Sequence, residues 1–197
     1  MTVCECEFPF GATWTADDHV LFASPQKGKG VFRVSANGGM PEPVIPAKPD
    51  EVMYGPQLLP DGDHVLYSVS AVEGMDRWDK AKIIVESLKF HERKVLIDGG
   101  ADGRYLPTGQ IMYAVGTTEF VVPFDAAKLA VTGSPVPTIE NVQRAVITES
   151  AAQIAVANNG SMIYLVTGPG GLQQGTRLAW VDRAGKQKQL AFTAGLL

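Results

Sequence analysis

Cys4 and Cys6, the histidines His19, His64 and His91, and the carboxylates Asp17, Asp18, Asp61 and Asp63 are the side chains whose types could ligate a metal or move a proton. A tetrahedral site needs about four ligands at matched spacings, and the histidines stand far from the cysteines in sequence. A calcium loop needs a D-x-[DN]-x-[DN]-G pattern, which this sequence lacks, so no metal is expected. A bond between cysteines two residues apart is expected to be strained, with the side chains diverging. For nucleophilic catalysis the sequence has no G-x-S-x-G elbow, and Ser161 in NNGSMIY follows a turn. The same NGS triplet fits a glycosylation acceptor, but turn geometry accounts for Asn159-Gly160 without it. No catalytic residue and no cofactor are expected. The one contact surface that stands out is AVEGMDRWDKAK (71 to 82), a loop carrying Met75, Arg77 and Trp78, residue types enriched where proteins meet. These three form the expected partner-binding site, set against the alternative that Trp78 folds back and caps the second structural unit.

The elements that must position these residues repeat along the chain. Turn pairs stand at Asp17-Asp18, Asp61-Gly62, Thr108-Gly109 and Asn159-Gly160, with steps of 44, 47 and 51 residues between their second members. Repeats of roughly 40 to 50 residues mark propeller blades and similar arrays. After each turn comes an apolar run, read here as HVLFAS, HVLYSV, IMYAVG and MIYLVT from His19, His64, Ile111 and Met162. Asp-Gly and Asn-Gly supply the positive φ that a two-residue hairpin demands, and the runs suit strands covered on both faces. His19 and His64 hold the same place in two units, which points to a shared structural role, and the turn aspartates are expected to cap their own backbone amides.

A second strand echoes in GVFRVSANGG, AKIIVESLKFHERK, TEFVVPFDAAKL and TRLAWVDRAGK, and a closing strand in EPVIPA, KVLIDG and SPVPTIENV. Pro135 and Pro137 are tolerated there only at a sheet edge. Four strands per unit, with no window at helical period, predict an all-β chain of four-stranded antiparallel blades in a β-propeller. A β-sandwich with similar hairpins is the rival. The expected divisions are an N-terminal extension over 1–9, blades over 10–53, 54–102, 103–143 and 144–190, and a tail over 191–197. A second long loop is expected over TGPGGLQQGT (167 to 176).

The 21 glycines and 13 prolines in 197 residues exceed the usual combined share of about 12%, as a turn-rich chain requires. A net charge of −4 with scattered Lys and Arg offers no stripe to neutralise phosphates, so nucleic acid is not an expected partner. No run approaches the roughly 20 apolar residues of a membrane span. The start, MTVCECEFPF, has no basic n-region followed by an apolar stretch, so no signal peptide is expected.

Residues 56 to 67, PQLLPDGDHVLY, resemble the TolB-like, WD-type propeller repeats of bacteria, and TWTADDHVLF, YLPTGQIMY and VANNGSMIY are weaker versions. Together with VPFDAAKLAVTGSPVP and RLAWVDRAGKQ, the chain is similar over most of 10 to 190 to the propeller region of bacterial eukaryotic-like serine/threonine kinases. That resemblance implies an extracytoplasmic sensing or scaffolding module whose catalytic domain lies elsewhere; no G-x-G-x-x-G, H-R-D or D-F-G occurs here. Propellers of this family close with six to eight blades, so four should leave two apolar end faces in need of cover. The expected function is a binding or sensing module without enzyme activity, taking a protein or peptide ligand and completing its ring as a homodimer. The alternatives are an accessory propeller of a prolyl-oligopeptidase-like hydrolase and a self-assembling structural fragment.

Overall fold

A computed structural model describes residues 2–145, 151–157, 159–166, 179–181 and 186–189. Its strands form four antiparallel sheets in sequence order. Sheet one is β1 (Ala12–Trp14), β2 (His19–Ala23), β3 (Val31–Ser35) and β4 (Glu42–Ile45). Sheet two is β5 (Val52–Leu58), β6 (His64–Ser70), β7 (Lys82–Ser87) and β8 (Arg93–Asp98). In sheet three, β9 (Ala101–Leu106), β10 (Gln110–Val115) and β11 (Thr118–Asp125) are followed by β12 (Ala130–Val131) and β13 (Val136–Ile139), both paired with β11. Sheet four is β14 (Ile154–Val156), β15 (Met162–Tyr164), β16 (Ala179–Val181) and β17 (Gln187–Gln189). Sheets two and three begin at Val52 and Ala101, two residues ahead of the expected divisions. The tail over 191–197 and the loop over 167–176 lie outside the described residues.

Hairpin chemistry sets the register. Asp18, Gly62, Gly109 and Gly160, the second turn residues, all have positive φ, but the first three loops hold three or four residues and not the expected two, so a single left-handed residue closes each turn. The turn closes from Thr15 N to His19 O, Leu59 N to His64 O and Ala157 N to Ser161 O, and Leu106 pairs with Gln110. The counterparts of His19 and His64 are therefore Gln110 and Ser161, one residue earlier than Ile111 and Met162. Both are polar, and matching by apolar content slid past them. In the corrected register Phe22, Tyr67, Tyr113 and Tyr164 fall into one aromatic column.

Alternation then buries both faces of the middle sheets. Val65 and Tyr67 pack with Leu21, Val31 and Ile45 of sheet one, while Leu66, Ile83 and Val85 pack with Ile111, Tyr113 and Val122 of sheet three. Met112 and Ala114, on the reverse of β10, meet Ala152 and Ile154 beside sheet four. Serial stacking of this kind, in which each sheet meets the next, excludes the two-sheet sandwich. The first strands approach most tightly at Gly11 (φ +80°), where a Cβ would sit 2.7 Å from the Cα of Gly55.

Sheets one and two are also joined by a buried polar chain. Tyr67 donates from its hydroxyl to Glu86 (2.5 Å), Arg93 Nε donates to the same carboxylate (2.7 Å), Arg93 Nη1 reaches Glu51 (2.8 Å), and Arg93 Nη2 reaches the carbonyl of Pro46 just past β4 (2.7 Å). Burial and then the Glu86 bond push the Tyr67 hydroxyl far above its usual pKa, so it stays a donor.

The outward face of sheet one is not bare. Residues 2–9 run along it, tied by Gly39 N to Val3 O (3.2 Å) and Gln26 Nε2 to Glu7 Oε2 (2.9 Å). Beneath them Phe22 and Phe32 stack at 5.8 Å, and Phe22 is buried. The expectation of an uncovered first end face is corrected accordingly: the extension covers part of it. Cys4 and Cys6 lie in this strap, and the Cys4 thiol is pushed up by burial and then by Cys6 beside it. The two thiols are therefore neighbours and do not diverge, because residues i and i+2 of an extended chain share a face.

Candidate binding site at the channel mouth

The first strand of each sheet, β1, β5, β9 and β14, lines a shared cleft of about 550 Å³ at the end where these strands run into their hairpin turns. Its floor is Thr13, Gln57 and Arg104, and a smaller recess of about 280 Å³ continues behind the same three residues towards Tyr54 and Asp102. Its walls are the Trp14 ring, Pro60, Tyr105, Leu106, Pro107 and Val156. Trp14 is 63% exposed, an indole that the core does not use.

The floor side chains hold the sheets side by side. Thr13 Oγ1 donates to Pro56 O (2.7 Å). Gln57 clamps the backbone of Tyr105, donating from Nε2 to its carbonyl (3.2 Å) and accepting its amide on Oε1 (2.7 Å). Arg104 forks onto Asp102 through Nε (3.1 Å) and Nη2 (2.7 Å) and reaches the carbonyls of Ile154 and Ala152. Burial depresses the Arg104 pKa, but the Asp102 carboxylate outweighs it and the guanidinium is held above its usual value. Asp102 adopts φ +56°, a conformation disfavoured for a side chain-bearing residue; its carboxylate in return receives the amide of Ala152 (2.8 Å).

Behind this floor lies a second charged group. Arg144, whose side chain is 1% exposed, donates from Nη1 to Asp79 Oδ1 (2.6 Å) and Gly116 O (2.7 Å), while its Nε and Nη2 have no partner among the described residues. Glu119, also 1% exposed, has an Oε1 with no partner among the described residues. Burial, followed by the nearby Asp102, raises the Glu119 pKa to about 7, with Arg104 and Arg144 opposing. Sequence reasoning missed Glu119 and Arg144; one signal was a lone acid among apolar residues in TEFVVPF.

Trp78 is 1% exposed and packs edge-on against Tyr54 (5.9 Å) and Phe10 (6.3 Å), so its ring faces inward rather than towards a partner. Arg77 lies over the Trp78 ring at 5.1 Å, and Met75 is 76% exposed. The structure thus does not bring the three onto one outer surface. His64 and Ser87 pair across β6 and β7, and His64 Nδ1 lies 2.7 Å from Asp61, the composition of a Ser-His-Asp site. Ser87 is buried, however, and its hydroxyl donates to Asp63 and accepts the amides of Lys89 and Phe90. It locks a turn and is not poised as a nucleophile. Among the described residues no group of three or more His, Cys, Asp or Glu is placed to hold a metal ion.

No protein-family model matches the sequence, and no curated protein does. Solved structures do. Regucalcin from Agrobacterium tumefaciens, a calcium-binding protein, superposes with a TM-score of 0.61 at 13% identity, over 91% of this chain and 58% of that one. An oligogalacturonate lyase in complex with manganese gives 0.60 at 13% identity, over 95% and 55%. The fold is a β-propeller. A puromycin-hydrolysing peptidase from Mycobacterium tuberculosis gives 0.56 at 15% identity, and there 94% of this chain matches 29% of that protein. The chain spans less than two thirds of the length of each of these three proteins. Identities this low carry the fold alone, but they correct one expectation. A propeller lacking the G-x-S-x-G and kinase signatures was expected to have no enzyme activity, whereas a lyase and a peptidase share this architecture. The absence of those motifs does not exclude catalysis.

Proposed function

We propose that this propeller is the ligand-admitting part of a larger hydrolytic enzyme, taking substrate at the mouth of its central channel. The observation that carries this reading is the cleft itself. A cleft of about 550 Å³ falls within the roughly 300 to 1,000 Å³ of ligand pockets, and it combines an exposed indole with a polar floor at the point where four blades converge. The match of nearly the whole chain to less than a third of a peptidase supports a propeller working beside further domains. The TolB-like resemblance of residues 56 to 67 fits the same arrangement.

Thermal-shift and titration screens of the purified chain against amides, esters, lactones and sugars test the reading. Saturable binding by at least one class, lost in Trp14→Ala, is the expected result. If no class binds, or if binding survives Trp14→Ala unchanged, the channel mouth is not the substrate entry.

A further inference from the structure

The internal hydrogen bonds of the cleft floor leave a specific remainder. Gln57 has two amide N–H donors and uses one on Tyr105 O. Arg104 has five: among the described residues the Nε donor goes to Asp102, both Nη2 donors go to Asp102 and Ala152, and one Nη1 donor goes to Ile154, leaving one on Nη1. Thr13 spends its proton on Pro56 O and keeps its oxygen lone pairs. The floor therefore offers two donors and one acceptor. Its net charge is close to zero, because Asp102 forks onto Arg104.

We propose that this floor recognises a neutral peptide group, with the flanking apolar side chain resting on Trp14 between Pro60 and Pro107. A peptide carbonyl accepts two hydrogen bonds and its N–H donates one, which is the complement of what Gln57, Arg104 and Thr13 have left. A free carboxylate finds no uncompensated cation here and would lose hydration without a matching charge. A sugar presents hydroxyl groups in several directions, whereas the walls of Leu106, Tyr105 and Val156 are apolar. The inference rests on the proposed role of the cleft and narrows the substrate class to amide-linked, apolar compounds.

Isothermal titration separates this inference from the broader reading. The probes are N-acetyl-leucine N-methylamide, N-acetyl-leucinate and glucono-lactone. The methylamide should bind at least tenfold more tightly than the carboxylate. Thr13→Val, which deletes the acceptor, should weaken it about two- to tenfold, the range for one hydrogen bond. Thr13→Ser keeps the hydroxyl and should bind as the parent does. Thr13→Val also forfeits the bond to Pro56 O and should melt lower than Thr13→Ser, so both affinities are read well below the lower melting temperature; loss of affinity in Thr13→Val alone meets the expectation, and parent-like binding by Thr13→Val overturns the inference. Preference for the lactone or the carboxylate overturns the inference while the cleft remains a binding site. Failure of all three probes overturns the inference, and the wider screen then decides on the cleft.

Discussion

Replacing Glu119 by glutamine isolates one buried carboxyl and its proton. In the folded chain its pKa stands at about 7 against 4.5 for the solvated group, a difference worth about 3 kcal/mol. The sign follows from proton binding. Between pH 4.5 and 7 the folded state holds the proton more strongly than the unfolded state, so stability is highest below 4.5 and falls as pH rises, levelling off above about 7. Glutamine keeps the shape and stays neutral. Glu119→Gln should therefore match the parent near pH 4.5 and exceed it by up to about 3 kcal/mol at pH 8, the figure being an upper bound because Arg104 and Arg144 stabilise the anion in part. Urea denaturation followed by fluorescence, at intervals from pH 4.5 to 8, measures the difference between the two curves, from which carboxylates common to both proteins cancel. Parallel curves would refute the reasoning. So would a variant less stable than the parent at pH 8, since that outcome means Glu119 is ionised and paired with a neighbouring guanidinium, with a depressed pKa.

Removing Arg93 as Arg93→Leu leaves Glu86 and Glu51 buried without their cation and should cost about 3–5 kcal/mol, read as a lower urea midpoint at unchanged slope. Trp78→Ala should cost about 3–5 kcal/mol through the cavity left between Phe10 and Tyr54, whereas Met75→Ala at the exposed tip of the same loop should leave the melting temperature within about a degree or two. Multi-angle light scattering checks self-association: a discrete dimer supports ring completion by two copies, and a monomer at all concentrations removes that idea.

What was legible in the chain follows from how local each cause is. Asp61-Gly62 and Asn159-Gly160 declare hairpins because the positive φ that Gly62 and Gly160 adopt is a property of the residue itself, and from those hairpins the four-stranded blades follow. His19 and His64 were rightly read as equivalents, since each lies just after a turn aspartate and is held to it, Nδ1 to Asp17 O at 2.8 Å and to Asp61 Oδ2 at 2.7 Å. Gln110 and Ser161 escaped because they keep the position and not the residue type. The site is less local still. Thr13, Gln57 and Arg104 are separated by some 45 residues each, and nothing within any one blade distinguishes them from surface polar residues. Only the convergence of β1, β5 and β9 gives them a common floor, and only the pairing of Arg104 with Asp102 cancels the charge that a reader of the sequence would assign to it. Trp14 and Trp78 show the same limit from the opposite direction. Both stand among polar neighbours in the sequence, in TWTADD and MDRWDK, yet Trp78 is a core plug and Trp14 an open wall, because Tyr54 of its own blade and Phe10 of the neighbouring one pack on Trp78 and no such aromatic partner reaches Trp14 among the described residues.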